Sequence, residues 1–237
     1  DNPYFQLIHK AVNKCISVKE EYKLWEHNPK EILWPTLKYI SDNLVEYKNA
    51  KNLYDFNDLV DLTIKSRDKE NFPTFKAVFI DEAQDLSPLQ WKLFDVFKEK
   101  SEDVYLAGDD DQAIFVWAGA DVERFIKEPA KERVLKYSKR VSRTVQEESQ
   151  KPIERIMGIR KEKHYLPRDF EGESLTISNL NQIDLTEGKW LILSRTISKQ
   201  LKIAEELKKK NLYYETNKGK SFSVTLYNTA MLYESWC

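Results

Sequence analysis

The sequence predicts an α/β fold with a helical region at its N-terminus, and three observations carry that prediction. From residue 1 to about 70, apolar side chains recur every three to four positions with no strand alternation. Two short apolar runs, Ala77-Val78-Phe79-Ile80 and Val104-Tyr105-Leu106-Ala107, flank a helical stretch, as parallel strands joined by a crossover helix do. After a segment punctuated by Gly158, Pro167 and Gly172, a second strand-helix alternation begins.

Each element has a local reason. Phe5, Ile8, Val12 and Cys15 fall on one helical stripe, as do Leu33, Leu37, Ile40 and Leu44, while Asn28-Pro29 and Trp34-Pro35 interrupt the helices because proline lacks an N–H and restricts its predecessor. Asp58 to Leu62 continues a further helix toward Lys65. The run ending at Asp81 is continuous enough to predict a strand buried on both faces. Ser87 and Pro88 are the N-cap and first-turn residues of a helix over Leu89–Phe97. Asp103 to Ala107 is a second buried strand closed by Gly108, and Arg133 to Tyr137 a third, followed by a polar helix from about Thr144 to Ile156. Beyond the punctuated segment, Ser174–Ser178 and Trp190–Leu193 predict strands, and Ser198–Lys210 an amphipathic helix.

Composition narrows the function classes. With 38 Lys and Arg against 39 Asp and Glu in 237 residues, the net charge is -1, so neither a global basic field nor an acidic disordered chain is present. No apolar run approaches 18 residues and no signal peptide is evident, which predicts a soluble, cytoplasmic protein with no membrane partner. Cys15 and Cys237 stand far apart without metal-ligand spacing, so neither a disulfide framework nor a zinc site is expected. The charge is unevenly placed: Asp81 to Asp111 holds ten acids and three lysines, whereas Asp121 to Arg168 holds fourteen bases and eight acids. Acids at the carboxyl ends of strands are metal candidates and adjacent bases phosphate candidates, or else both form an ordinary solvated surface.

The chemistry concentrates in two blocks. Val78-Phe79-Ile80-Asp81-Glu82-Ala83-Gln84-Asp85 sets two consecutive carboxylates at a strand end, so that one can face a metal ion and the other the point where water attacks. Taken alone, an Asp-Glu pair there is as readily structural. Gly108-Asp109-Asp110-Asp111-Gln112-Ala113-Ile114-Phe115-Val116-Trp117-Ala118-Gly119-Ala120 starts 23 residues after Asp85. It offers an amide that can donate to a phosphate oxygen and aromatic faces that can stack on any base, or a Trp117 packed beneath Ile114 in a core.

Together these blocks resemble the UvrD/Rep-type superfamily 1 helicases, the first in the DE-x-Q-D form of their Walker B motif and the second in the pattern of their motif III. The resemblance extends from Tyr54-Asp55-Phe56-Asn57-Asp58-Leu59 to about residue 222. It includes Leu135-Lys136-Tyr137-Ser138-Lys139-Arg140-Val141-Ser142, which is similar to motif IV with Lys139 in place of tyrosine, and Leu191-Ile192-Leu193-Ser194-Arg195-Thr196, similar to the first strand of the second motor domain. The resemblance implies ATP and Mg2+ as cofactors, with Asp81 and Glu82 at the metal, Glu82, Gln112 and Arg140 catalytic, and Asp81, Glu82, Gln112 and Arg140 contacting nucleotide. Gln112 would sense the γ-phosphate. Arg140 would serve as an arginine finger, its guanidinium suited to phosphate oxygens, with an ordinary surface arginine as the alternative. Phe115 and Trp117 would meet DNA. Ala118 stands where many relatives carry arginine, so no ion pair is expected there, and Arg195 receives no catalytic role.

The implied architecture is a RecA-like P-loop NTPase with parallel sheets. In that architecture, residues 1–70 form a helical accessory subdomain, 71–157 part of the first motor domain, 158–172 a linker, 173–222 the start of the second motor domain and 223–237 the start of a helical insertion. The expected activity is that of part of an ATP-dependent DNA helicase acting on single-stranded DNA and duplex junctions, related enzymes tracking 3′ to 5′. The chain holds no recognisable phosphate-loop motif or motifs V and VI, and by itself is expected to be inactive. Lys218-Gly219-Lys220-Ser221 does not supply the loop, since Tyr214 occupies the position of its first glycine. Two other readings stand beside this one: a non-catalytic nucleic-acid-binding module on a degenerate motor fold, and another P-loop enzyme such as a nucleotide kinase or recombinase, which leaves the Gln112 block unexplained. Pathway and oligomeric state are not encoded in any motif.

Overall fold

The computed structural model describes residues 2–25, 32–156, 158, 160–216 and 219–221. It divides into two compact units, Asp1–Gly172 and Glu173–Cys237.

In the first unit, four helices occupy the region of helical periodicity: α1 Pro3–Asn13, α2 Val18–Leu24, α3 Trp34–Lys51 and α4 Phe56–Lys65. Their starts are written locally. Asn2 accepts from the Tyr4 N–H, and Ser17 and Asp55 form reciprocal capping boxes with Glu20 and Asp58. Leu7, Ile8, Ile32 and Leu37 are buried together, with Tyr22, Trp25 and Trp34 packed around them. Glu21, 1% exposed, is held by Lys10 of α1 and by Lys14, the residue that caps its end, at 3.3 and 2.8 Å, which compensates a charge that burial alone would penalise. Asn28-Pro29 lies outside the described residues.

Strand β1, Phe75–Ile80, and strand β2, Ser101–Leu106, pair in parallel with Ile80 opposite Leu106, and helix α5, Pro88–Glu99, connects them. Ser87 caps α5 as its sequence predicts, accepting from the Gln90 N–H while Gln90 Oε1 accepts from the Ser87 N–H at 2.8 Å. Leu89, Trp91, Phe94 and Val96 of α5 are buried. Trp91 is fully enclosed: it meets Phe94 edge-on and donates from Nε1 to the Asp121 carbonyl at 3.3 Å, at the head of α6, Val122–Lys127. α7, Arg143–Ile153, follows.

Several expectations change. The strands are not buried on both faces: Phe79 is 76% and Tyr105 52% exposed, stacked on each other at 4.8 Å. A continuous apolar run records what a strand tolerates, not what covers it. Arg133–Tyr137 forms no strand, only an isolated parallel bridge from Tyr137 to Leu166. Residues 160–172 belong to the first unit, where the Leu166 N–H donates to the Lys136 carbonyl and Arg160 and Lys163 pair with Asp111 and Asp110.

In the second unit, helix α8, Ile197–Lys209, is present, with Thr196 as its cap and Leu207 buried. Ser174–Ser178 and Trp190–Leu193 form no strand, and Leu191 and Leu193 are more than four-fifths exposed. A strand needs a partner for its ladder, and apolar composition alone does not provide one. The only strands described in this unit are β3, Glu215–Thr216, and β4, Gly219–Lys220, paired antiparallel, so Gly219 serves a hairpin. Residues 222–237, which include Cys237 and the expected helical insertion, lie outside the described residues, as does Lys218.

Candidate nucleotide and nucleic-acid site

The parallel register delivers both sequence blocks to the same end of the sheet. Beyond Ile80 and Leu106 the pairing runs on, the Ala107 N–H donating to the Ile80 carbonyl at 2.8 Å and the Ala83 N–H to the Ala107 carbonyl at 2.9 Å. Asp81 and Glu82 therefore leave β1 beside Gly108 and Asp109 leaving β2.

Glu82 turns sharply, at φ 52° and ψ 40°. This left-handed conformation costs a residue with a Cβ about 1–2 kcal/mol, so surrounding bonds must hold it. Asp81 Oδ1 accepts from the Glu82 N–H at 3.0 Å, the Glu82 carbonyl accepts from the Asp85 N–H at 3.0 Å, and Glu82 Oε2 accepts from Gln84 Nε2 at 2.7 Å. The neighbouring carboxylates thus have different partners, and both residues are exposed to solvent. Asp85 lies behind them with Oδ1 buried and unpartnered among the described residues; burial, then the Glu82 charge, pushes its pKa up.

Gln84, 1% exposed, is the residue whose role the motif alone did not disclose. Its Oε1 accepts from the Asp109 N–H at 3.0 Å while its Nε2 serves Glu82. Asp109 in turn accepts from Gln112 Nε2 at 2.6 Å through Oδ2 and from the Asp111 N–H at 3.1 Å through Oδ1. A continuous hydrogen-bonded path therefore runs from Glu82 through Gln84 and Asp109 to Gln112. Gly108 makes room for it, because a Cβ there would stand 2.6 Å from Gln84 Oε1 and 2.9 Å from the Phe125 ring. The sequence signal was available: an amide between acids just past an apolar strand has two polar ends to satisfy.

The Asp109–Asp111 run is not a free acidic surface. Arg160 donates to Asp111 through Nε and Nη2, both at 2.8 Å. Lys163 Nζ lies 2.9 Å from Asp109 and 3.0 Å from Asp111 and also contacts Asp110, whose side chain is only 3% exposed. The Lys161 N–H adds a bond to Asp110 Oδ2 at 2.8 Å. Hydrogen bonding from Arg160 holds the Asp111 pKa down despite burial. Burial disfavours the charge on Lys163, but its bonds to Asp110, Asp109 and Asp111 outweigh that and raise its pKa. Acids and bases that looked like separate metal and phosphate candidates in sequence are thus partly consumed by one another.

For a divalent ion, Asp81 and Glu82 offer the right chemistry: Mg2+ is commonly held by one or two carboxylates together with substrate phosphates and water. Among the described residues no three His, Cys, Asp or Glu side chains group to hold a metal ion by themselves.

The aromatic block lies open. Val116–Ala118 is a single 3-10 turn in which Trp117 is 71% and Ile114 70% exposed, so Trp117 is not packed into a core beneath Ile114. Phe115 is half-exposed, and Gly119, at φ 105°, closes the turn against Lys14 at the end of α1. Arg140 stands apart from this network. It is exposed, its N–H donates to Ser138 Oγ at 3.3 Å, and no ion pair joins its guanidinium to a described residue. Asp81, Glu82 and Gln112 are thus brought together by direct or relayed bonds, and Arg140 is not.

Residues 3–133, more than half of the chain, match the model of the UvrD/REP helicase N-terminal domain. The chain belongs to this family. The match contains both blocks and ends before Arg140, and it begins well upstream of Tyr54. Among curated relatives, RecBCD enzyme subunit RecB of Buchnera aphidicola from Acyrthosiphon pisum is 32% identical over 55% of this chain and 12% of its own length. ATP-dependent DNA helicase Rep of Buchnera aphidicola from Baizongia pistaciae is 38% identical over 33% of this chain and 13% of its own. ATP-dependent DNA helicase PcrA of Bacillus subtilis is 33% identical over 37% of this chain and 13% of its own. This UvrD/Rep-family chain therefore aligns with only about an eighth of each of these relatives. No helix among its described residues is long and apolar enough to cross a membrane.

Proposed function

We propose that this UvrD/Rep-family chain is part of an ATP-dependent DNA helicase that couples ATP hydrolysis to movement on single-stranded DNA and to unwinding at duplex junctions. The observation that carries the proposal is the hydrogen-bonded path from Glu82 to Gln112 at the carboxyl ends of two parallel strands, where α/β sheets bind ligands. In this reading residues 71–157 belong to the first of two RecA-like motor domains, residues 1–70 to its helical accessory subdomain, and residues 173–222 to the start of the second.

Glu82 acts as general base, taking a proton from the attacking water. Asp81, with Glu82, holds Mg2+, which when bound offsets phosphate charge. Gln112 donates its amide to the γ-phosphate, and its bond to Asp109 sets where that amide starts. Arg140, exposed and with no ion pair to a described residue, is free to fork onto the same phosphate. Exposed Phe115 and Trp117 stack on bases without regard to sequence.

The test is DNA-stimulated ATP hydrolysis by the intact protein. Glu82→Gln should lower turnover by about 10²–10⁴-fold while sparing ATP binding, because the amide cannot accept the proton. An intact wild-type protein that binds single strands yet shows no DNA-stimulated hydrolysis would instead identify a non-catalytic nucleic-acid-binding module on a motor fold. The chain of residues 1–237 alone should hydrolyse no ATP, since it holds no recognisable phosphate loop.

A further inference from the structure

We infer that Gln84 is a positioning residue for this hydrolysis, tying the Glu82 carboxylate to the loop that carries Gln112. The inference rests on the function proposed above. Glu82 leaves its strand in a left-handed turn, so the strand does not aim its side chain, and its carboxylate is exposed. The fixed point beside it is Gln84, almost fully buried, whose two amide ends are used in opposite senses: Nε2 donates to Glu82 and Oε1 accepts from the Asp109 backbone.

A neutral side-chain amide can do both, with its donor and acceptor fixed at opposite ends of one plane. An ionised glutamate offers no donor, methionine offers neither group, and asparagine is one methylene too short to span the same gap. Gln84 Nε2 also reaches Asp85 Oδ2 at 3.3 Å, and the absent Cβ of Gly108 lets the amide lie against the second strand. Asp109 accepts from Gln112 on its far side. A shift of Gln112 toward a phosphate therefore pulls on Asp109, whose N–H is bound to the amide that holds the base. Gln84 touches neither water nor nucleotide in this scheme and acts through Glu82.

The experiment compares wild type, Gln84→Met, Gln84→Glu and Glu82→Gln in the intact protein. It measures kcat and the ATP KM of DNA-stimulated hydrolysis, together with hydrogen exchange of the peptide containing Asp109 by mass spectrometry. Gln84→Met should lower kcat about tenfold or more with KM changed less than about threefold, and should speed exchange at Asp109. Gln84→Glu should retain the acceptor for the Asp109 N–H, and so the protection, yet still lose kcat because an ionised carboxylate faces Glu82. Should Gln84→Met not fold, Gln84→Glu decides alone. A kcat within twofold of wild type in Gln84→Glu, while Glu82→Gln is inactive, overturns the positioning role and leaves the helicase reading intact. Parallel changes of kcat and KM together with lost Asp109 protection in Gln84→Glu mean mere packing and also overturn it. Hydrolysis indifferent to Glu82→Gln sinks the functional reading itself.

Discussion

Arg160 grips Asp111 through two parallel bonds of 2.8 Å, and the two residues lie 49 positions apart in the chain. Because Asp111 sits one residue before Gln112, this clamp sets the base from which the candidate phosphate sensor projects. It also gives the loop a pH dependence of definite sign. The Asp111 pKa is lowered in the folded protein, chiefly by its bond to Arg160. The unfolded chain therefore binds the proton more readily. The stability from this carboxylate is complete above its ordinary pKa of about 4 and is lost as pH falls through the folded value. Urea unfolding followed from pH 6 to pH 3 should show a steeper acid decline for wild type than for Asp111→Asn. Equal slopes would mean that the clamp contributes nothing.

Lys163 extends the same clamp across all three aspartates. With 18% of its own side chain exposed and Asp110 and Asp111 at 3% and 7%, removing the ammonium leaves carboxylates facing one another with little water to screen them. Lys163→Ala should destabilise the first unit by about 2 kcal/mol or more, with Lys163→Arg recovering part of the loss. The denaturation midpoint at neutral pH measures it. Lys151→Ala is the control: its ion pair with Glu148 lies on an exposed helix face and should contribute under about 0.5 kcal/mol.

These contacts also mark the limit of what a sequence discloses. The capping of α5 by Ser87 and Pro88 is legible because its chemistry is confined to four consecutive residues. The placement of Asp81 and Glu82 at a strand end is legible because a hydrophobic run stops there. The clamp is not, since no periodicity relates Asp111 to Arg160, and the basic residues were indistinguishable from linker decoration. Trp190–Leu193 failed for a related reason: its composition favours a strand, but pairing depends on another segment. The openness of Trp117 lay between these cases, because i,i+3 spacing with Ile114 fits both a buried stripe and a displayed turn.

Gly108 should resist substitution more than Gly188. A methyl group added there meets Gln84 Oε1, which hydrogen bonds hold in place, and the Phe125 ring on the other side. Neither can retreat without breaking the Asp109 bond or displacing α6. Gly108→Ala should cost about 1–3 kcal/mol, the range for overpacking a filled interior. Gly188→Ala, by contrast, meets no neighbouring atom within 4 Å and bears only the backbone strain of its φ of 80°. Thermal unfolding of the Gly108 variant, with hydrogen exchange at Asp109, would show whether the loss lies at this crossing.

Trp117 separates DNA contact from folding. Most of its surface is open, and the 3-10 turn that carries it is fastened by backbone bonds, Ala118 N–H to the Phe115 carbonyl at 2.8 Å and Gly119 N–H to the Val116 carbonyl at 3.0 Å. Truncating the indole therefore removes little buried area, and Trp117→Ala should change stability by less than about 0.5 kcal/mol. If the exposed indole stacks on a base, the same variant should weaken binding of a thymidine oligonucleotide by the usual worth of one aromatic platform, about 1–3 kcal/mol or roughly 5- to 150-fold in Kd. Trp117→Phe should recover much of that loss because it keeps a π-face. Fluorescence anisotropy on the intact protein, with ATP affinity measured in parallel, reads both. Unchanged oligonucleotide binding with Trp117→Ala would take the 3-10 turn out of the proposed DNA path, whereas equal losses of DNA and ATP affinity would mean that the turn supports the nucleotide site instead.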